Sequence, residues 1–326
     1  MKCINKNGMC KAAFFLFLPL FLSGCGSKKF DMPYDLSAPV SAYSFETSNT
    51  EATADAFASD LCVVSSDVSA NGITMSKATS AGLFDVSSSD TLFAKNAHKS
   101  LNPASLTKTM TALLALKYGK LDDVLTASAN VNITESGAQL CGFKEGDQMT
   151  LDQALHGLLM YSGNDAAVVI AEYISQNVEE FSQLMNDEAL ALGATNTNFT
   201  NPHGLTDDNH YTTAYDLYLI FNAAMKYDKF KEIIHMSEYS STYTDREGNP
   251  KEMDFGTTNL YLNGDKESPG NVSIIGGKTG TTNAAGSCLI LLSNNTSGEP
   301  YISVILQADD RDALYSEMTN LLEEVQ

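Results

Sequence analysis

Pro103-Ala104-Ser105-Leu106-Thr107-Lys108-Thr109-Met110-Thr111-Ala112-Leu113 decides how the rest of this chain is read. Leu106, Met110, Leu113 and Leu114 recur at helical spacing, Asn102-Pro103 precedes them and Gly119 follows. The pattern predicts a helix over 105–118. Within it Ser105 and Lys108 stand at i and i+3, on one face and within reach of each other. A serine hydroxyl is a poor nucleophile until a base takes its proton. A lysine can be that base only when uncharged, and burial beside a second cation pushes its pKa down. A helix N-terminus also favours negative charge developing on the serine oxygen. No other serine in the chain lies three residues before a lysine.

Two further patterns follow in sequence. Lys278-Thr279-Gly280 comes after the apolar run 272–275 through Gly276-Gly277. Glycines there let a ligand backbone lie close to a strand edge, and a lysine supplies a point charge for a carboxylate or for lowering a neighbour's pKa. Ser162-Gly163-Asn164 falls in a break between two helical patterns, 151–161 and 165–176. Ser-x-Asn recurs at Ser69, Ser100, Ser128, Ser175 and Ser293, but only Ser162 lies in an interhelical loop between Ser105 and Lys278.

Strands are expected at 61–64, 81–86 and 91–94, the last two as a hairpin through Ser87-Ser88-Ser89-Asp90. Helices are expected at 181–192 and 213–227, and 237–270 reads as loop-like or extended. The pattern then turns to strands at 272–275, 287–292 and 301–306, with an amphipathic helix over 309–325. Strands at both ends and helices between them predict one mostly antiparallel sheet with helices on its faces.

The N-terminus reads as an export segment. Lys2, Lys6 and Lys11 precede an apolar run over 12–22, which is too short to span a bilayer. Leu22-Ser23-Gly24-Cys25 resembles a bacterial lipobox, which makes 1–24 a signal peptide and Cys25 a lipidated first residue. Residues 25–58, rich in Ser, Ala, Thr and acids, read as a flexible tether reaching roughly 30 Å. Loss of 1–24 leaves 17 basic against 40 acidic residues, a net charge of −23. Such a chain is repelled by nucleic acid and by anionic headgroups, so it needs a lipid anchor to stay at a membrane. Cys62, Cys141 and Cys288, odd in number and far apart, argue against a disulfide framework, and no Cys-x-x-Cys or His-Glu-x-x-His suggests zinc.

Ser-x-x-Lys, Ser-x-Asn and Lys-Thr-Gly, in that order, form the penicilloyl-serine signature. On these motifs the chain resembles the serine D-alanyl-D-alanine carboxypeptidases, the low-molecular-mass penicillin-binding proteins. The likeness runs from about 81 to 307 and extends to Asn201-Pro202-His203-Gly204-Leu205, to 210–217 and to Gly277-Lys278-Thr279-Gly280-Thr281-Thr282. It implies a β-lactamase/transpeptidase-like α+β fold. A five-stranded, mostly antiparallel sheet would be flanked by helices, with an all-helical subdomain inserted at about 121–236 of a catalytic domain spanning 59–326.

The resemblance also implies roles. Ser105 would attack the carbonyl between the two terminal D-alanines of a peptidoglycan stem, and β-lactams would acylate it. Lys108 would act as base, Ser162 would pass a proton to the leaving amine, and Asn164 would position Lys108 and the substrate. Lys278 and Thr279, with Gly280, would hold the terminal carboxylate. The backbone N–H groups of Ser105 and Thr281 would form the oxyanion hole. No metal or organic cofactor is needed. The location would be extracytoplasmic, at a bacterial membrane through Cys25.

Two departures from the family stand out. Many members carry a further β-rich domain and a C-terminal membrane helix, whereas this sequence has about 45 residues after Gly280, so the lipid would take over anchoring. Members often have Arg or Pro after the residue matching Asn259, where this chain has Leu260. His203 and His210 invite a Ser-His-Asp reading, but no Gly-x-Ser-x-Gly elbow supports it; His203 is expected to shape a loop and His156 to be a core residue. A class A β-lactamase would need a deacylating Glu, and no Glu-x-Glu-Leu-Asn follows Asn164. A DD-endopeptidase would use the same residues, and a non-catalytic wall-binding lipoprotein would not need them.

Overall fold

The computed structural model describes residues 58–70 and 72–326. The expected signal 1–24, Cys25 and all but the last residue of the expected tether lie outside the described residues.

The main sheet has five strands, all paired antiparallel. They are β1 (Ala78–Asp85), β2 (Asp90–Lys95), β7 (Val272–Thr282), β8 (Gly286–Asn295) and β9 (Pro300–Ala308), in the order β2-β1-β9-β8-β7. The first and last strands of the described residues meet where β1 pairs with β9, as the distribution of strand patterns predicted. The strand period of two sends neighbours to opposite faces. Leu289 and Leu291 therefore join one apolar cluster, while Ile290 and Leu292 join the other. The first face is covered by α7 (Arg311–Glu323) through Leu314, Met318 and Leu321. The second lies under the helical body built around α1 (Lys108–Tyr118). Helix α1 is buried on every side over 108–115, as an apolar helix without a polar stripe must be. It packs against α2 (Leu151–Leu159), α3 (Asn164–Ser175) and α5 (Ala214–Ala224).

Three expectations are corrected. The segment 61–64 forms no strand ladder. Cys62 and Val64 are buried and Val63 is exposed, so the alternation is present, but the Cys62 N–H donates to the Tyr218 hydroxyl at 2.9 Å instead of to a neighbouring strand. The insertion is not all-helical. It carries β3 (Val124–Thr126) and β4 (Gln148–Thr150), which pair with each other, and β4 joins the later hairpin β5 (Glu238–Thr244) and β6 (Pro250–Gly256) through Gln148 opposite Thr244, in a second sheet ordered β3-β4-β5-β6. Strands of three residues are too short to show a period, and the hairpin that β4 joins lies about a hundred residues later. Finally, the helix expected from 105 begins as a 3-10 turn over Ala104–Thr107 and becomes α-helical only at Lys108.

Candidate active site

The 3-10 turn opens on Ala104, which is held at φ +49°. It presents Ser105 half-buried at the surface and drops Lys108 to zero exposure beneath it. Lys108 Nζ lies 2.9 Å from Ser105 Oγ, 2.6 Å from Asn164 Oδ1 and 2.7 Å from the His203 carbonyl. The last two can only accept. A neutral amine has two hydrogens and one lone pair, so both hydrogens are committed and the lone pair is left facing the serine hydroxyl. Burial pushes the Lys108 pKa well below the usual lysine range, and the positive charge of Lys278 lowers it further.

Asn164 reaches this amine because α3 starts there. A capping box, in which Thr150 and Gln153 bond each other's backbone N–H, fixes the start of α2. The loop after it closes with the Gly163 N–H on the Gly157 carbonyl and the Asn164 N–H on the Gln139 carbonyl. Ser162, in the left-handed region at φ +66°, is turned toward β7. There its Oγ accepts from Lys278 Nζ at 2.9 Å. Lys278 is 1% exposed, and burial pushes it down to about 7.

Strand β7 approaches the nucleophile turn through Gly280. A Cβ at that position would stand 3.0 Å from the Ser105 nitrogen and 3.1 Å from the Ala104 Cβ, so a side chain would force strand and turn apart. Thr279 Oγ1 lies 2.6 Å from Thr258 Oγ1. Two cavities, of about 270 and 320 Å³, open on either side of Ser105 and share Gly137, Gln139 and Thr281 in their walls. Among the described residues, Glu135 is the one charged side chain lining the first, and Arg311 the one charged side chain lining the second.

The structure thus brings together Ser105, Lys108, Ser162, Asn164, Lys278, Thr279, Gly280 and Thr281, while Cys25 lies outside the described residues. Sequence reasoning missed Arg311. It sought an arginine after Asn259, where Leu260 instead packs against the α7 cluster. Arg311 is the first residue of α7, whose N-cap Asp310 accepts from the Ala313 N–H at 2.7 Å. That cap was legible, but its position at the cleft was not. His203 contributes its backbone carbonyl and not its ring. His156 is a satisfied core residue, with Nδ1 2.7 Å from the Asp152 carbonyl and its ring stacked on Tyr239.

A family model described as D-alanyl-D-alanine carboxypeptidase matches residues 66–310. D-alanyl-D-alanine carboxypeptidase DacF of Bacillus subtilis is 35% identical over 256 residues, which is 76% of this chain and 61% of DacF. DacC of Escherichia coli is 33% identical over 250 residues, covering 74% of this chain and 59% of DacC. The chain spans about three fifths of the length of these curated relatives. Among solved structures, the Streptomyces K15 DD-transpeptidase superposes with a TM-score of 0.71 at 26% identity, over 78% of this chain and 98% of that one.

Proposed function

The chain belongs to the D-alanyl-D-alanine carboxypeptidase family, and from that premise we propose that it removes the terminal D-alanine from peptidoglycan stem pentapeptides through an acyl-enzyme on Ser105. The observation that carries this reading is the meeting of two serine–lysine pairs, each at 2.9 Å, in one cleft whose two halves carry opposite charge.

The lone pair of neutral Lys108 takes the Ser105 proton as Oγ attacks the carbonyl carbon between the two D-alanines. The carbonyl oxygen becomes an oxyanion held by the backbone N–H groups of Ser105 and Thr281. Removing one such donor typically costs about 10²–10³ in rate. The C–N bond then breaks, Ser162 passes a proton to the departing amine, and D-alanine leaves. Water, deprotonated at the same site, attacks the ester and regenerates Ser105. Asn164 keeps both Lys108 hydrogens occupied together with the His203 carbonyl. Lys278, Thr279 and Arg311 receive the terminal carboxylate in the larger half of the cleft. The stem runs into the half that contains Glu135. An Arg311 guanidinium there offers the bidentate carboxylate contact that Leu260 cannot.

A β-lactam presents the same carbonyl and carboxylate on a leaving group that cannot depart, so it acylates Ser105. In this reading 1–24 is a signal peptide, the lipid on Cys25 holds the protein outside the cytoplasm, 25–58 is the tether and 59–326 the catalytic domain. Mass spectrometry after exposure to benzylpenicillin tests the core of it. One penicilloyl group is expected, on the peptide containing Ser105, and none in Ser105→Ala. An unmodified wild-type protein, or an adduct elsewhere, refutes the assignment. Release of D-alanine from a pentapeptide, against cleavage of a crosslinked dimer, separates carboxypeptidase from endopeptidase.

A further inference from the structure

Ala104, immediately before the nucleophile, is 1% exposed and holds a positive φ that an L-residue keeps only where its surroundings over-determine it. Its carbonyl oxygen is gripped from two directions. Thr107 Oγ1 donates to it at 2.8 Å. Gly204, itself at φ +87°, sits so close that a Cβ there would stand 1.8 Å from the same oxygen.

Thr107 Oγ1 lies 2.8 Å from His210 Nε2, and on the far side of that ring the Thr200 backbone N–H lies 3.0 Å from Nδ1. A backbone N–H can only donate, so Nδ1 must present its lone pair, and the hydrogen of the neutral imidazole sits on Nε2. Nε2–H therefore donates to Thr107 Oγ1, whose own hydrogen is already given to Ala104. The direction is fixed along the whole series, from Thr200 through His210 and Thr107 to Ala104. His210 is 1% exposed, its backbone carbonyl accepts from Asn102 Nδ2 at 3.0 Å, and Phe199 meets its ring at an angle, with centroids 5.6 Å apart. Burial lowers the imidazole to about 4, which keeps it in the neutral form this arrangement requires.

We propose that His210 is a positioning residue which, acting through Thr107, sets the Ala104 turn and so aims the Ser105 hydroxyl and backbone N–H at the substrate carbonyl. The proposal rests on Ser105 being the nucleophile, and it gives an indirect role to a histidine that touches none of the reacting groups.

Thr107→Val keeps the buried volume and removes both hydroxyl bonds, while Thr107→Ser keeps the hydroxyl. With benzylpenicillin as probe, Thr107→Val is expected to lower the acylation rate constant ~10²-fold, the cost of a misplacement on the order of 1 Å. The dissociation constant of the complex before acylation should hardly change, and Thr107→Ser should restore most of the rate. In the unaltered protein, imidazole nitrogen NMR at neutral pH should find the His210 hydrogen on Nε2. Acylation of Thr107→Val at the wild-type rate, or a hydrogen on Nδ1, overturns the proposal. Should Thr107→Val not fold, the NMR result decides alone. A wild-type protein that forms no adduct sinks the functional reading as well, which separates the two failures.

Discussion

The two serine–lysine pairs share an oxygen–nitrogen separation of 2.9 Å but are assembled by different means. Ser105 and Lys108 are one turn apart on a single segment, and helical geometry alone brings them together. Ser162 and Lys278 are 116 residues apart, joined only because β7 runs past the loop between α2 and α3. Their surroundings differ as well. Lys108 has two obligate acceptors besides the serine, while Lys278 has one, its own neighbour's carbonyl, Thr279 O at 2.9 Å. Both amines are fully buried and burial lowers both, but Lys108 also feels the charge of Lys278, which opposes a second positive charge beside it. One lysine is thus held so as to stay neutral, and the other keeps a charge within reach near pH 7. This suits a base for the first and a carboxylate partner for the second.

The strongest attempt to break that division is Lys108→Arg. A guanidinium keeps its proton throughout the working range, so D-alanine release should fall ~10³–10⁴-fold, toward the limit for losing a general base. A single-turnover assay on a stem pentapeptide checks this, and a fall below tenfold would mean that Lys108 is not the base. Ser162→Ala tests the second pair. Release of D-alanine should drop ~10²-fold, because the leaving amine loses its proton donor but Ser105 keeps its own base. A loss equal to that of Lys108→Arg would erase the proposed difference between the pairs.

The smallest effect is on stability. Lys278 binds its proton with a pKa of about 7 when folded and about 10.4 when unfolded. Between these values the unfolded chain holds more protons, so this group makes the fold more stable as pH rises from 7 to 10. Below pH 7 its burial is fully unfavourable. Lys278→Met removes the effect. Its melting temperature should therefore exceed that of the wild type most at and below pH 7, with the gap shrinking by roughly 8–16 °C toward pH 10, from about 1.4 kcal/mol per pH unit at ~2–4 °C per kcal/mol. A gap that stays constant would mean Lys278 titrates like an exposed lysine.

The sequence by itself determined what local periodicity can carry. The apolar spacing around Ser105 specified a helix, the runs at 287–292 and 301–306 specified strands, and the motif order pointed to one family. Signals of that kind need only a few turns of helix or a few residues of strand to become visible. Tertiary structure alone decided the rest. It joined the three-residue strand β4 to a hairpin about a hundred residues later, took 61–64 out of the sheet, and brought Arg311 into the cleft where Leu260 had left a place for a cation. It also set the Lys278 amine on Ser162 and stacked Thr200, His210 and Thr107 behind Ala104. These contacts join segments distant in the chain, and they are fixed by which apolar faces bury against each other, a property of the packed whole that no stretch of sequence displays alone.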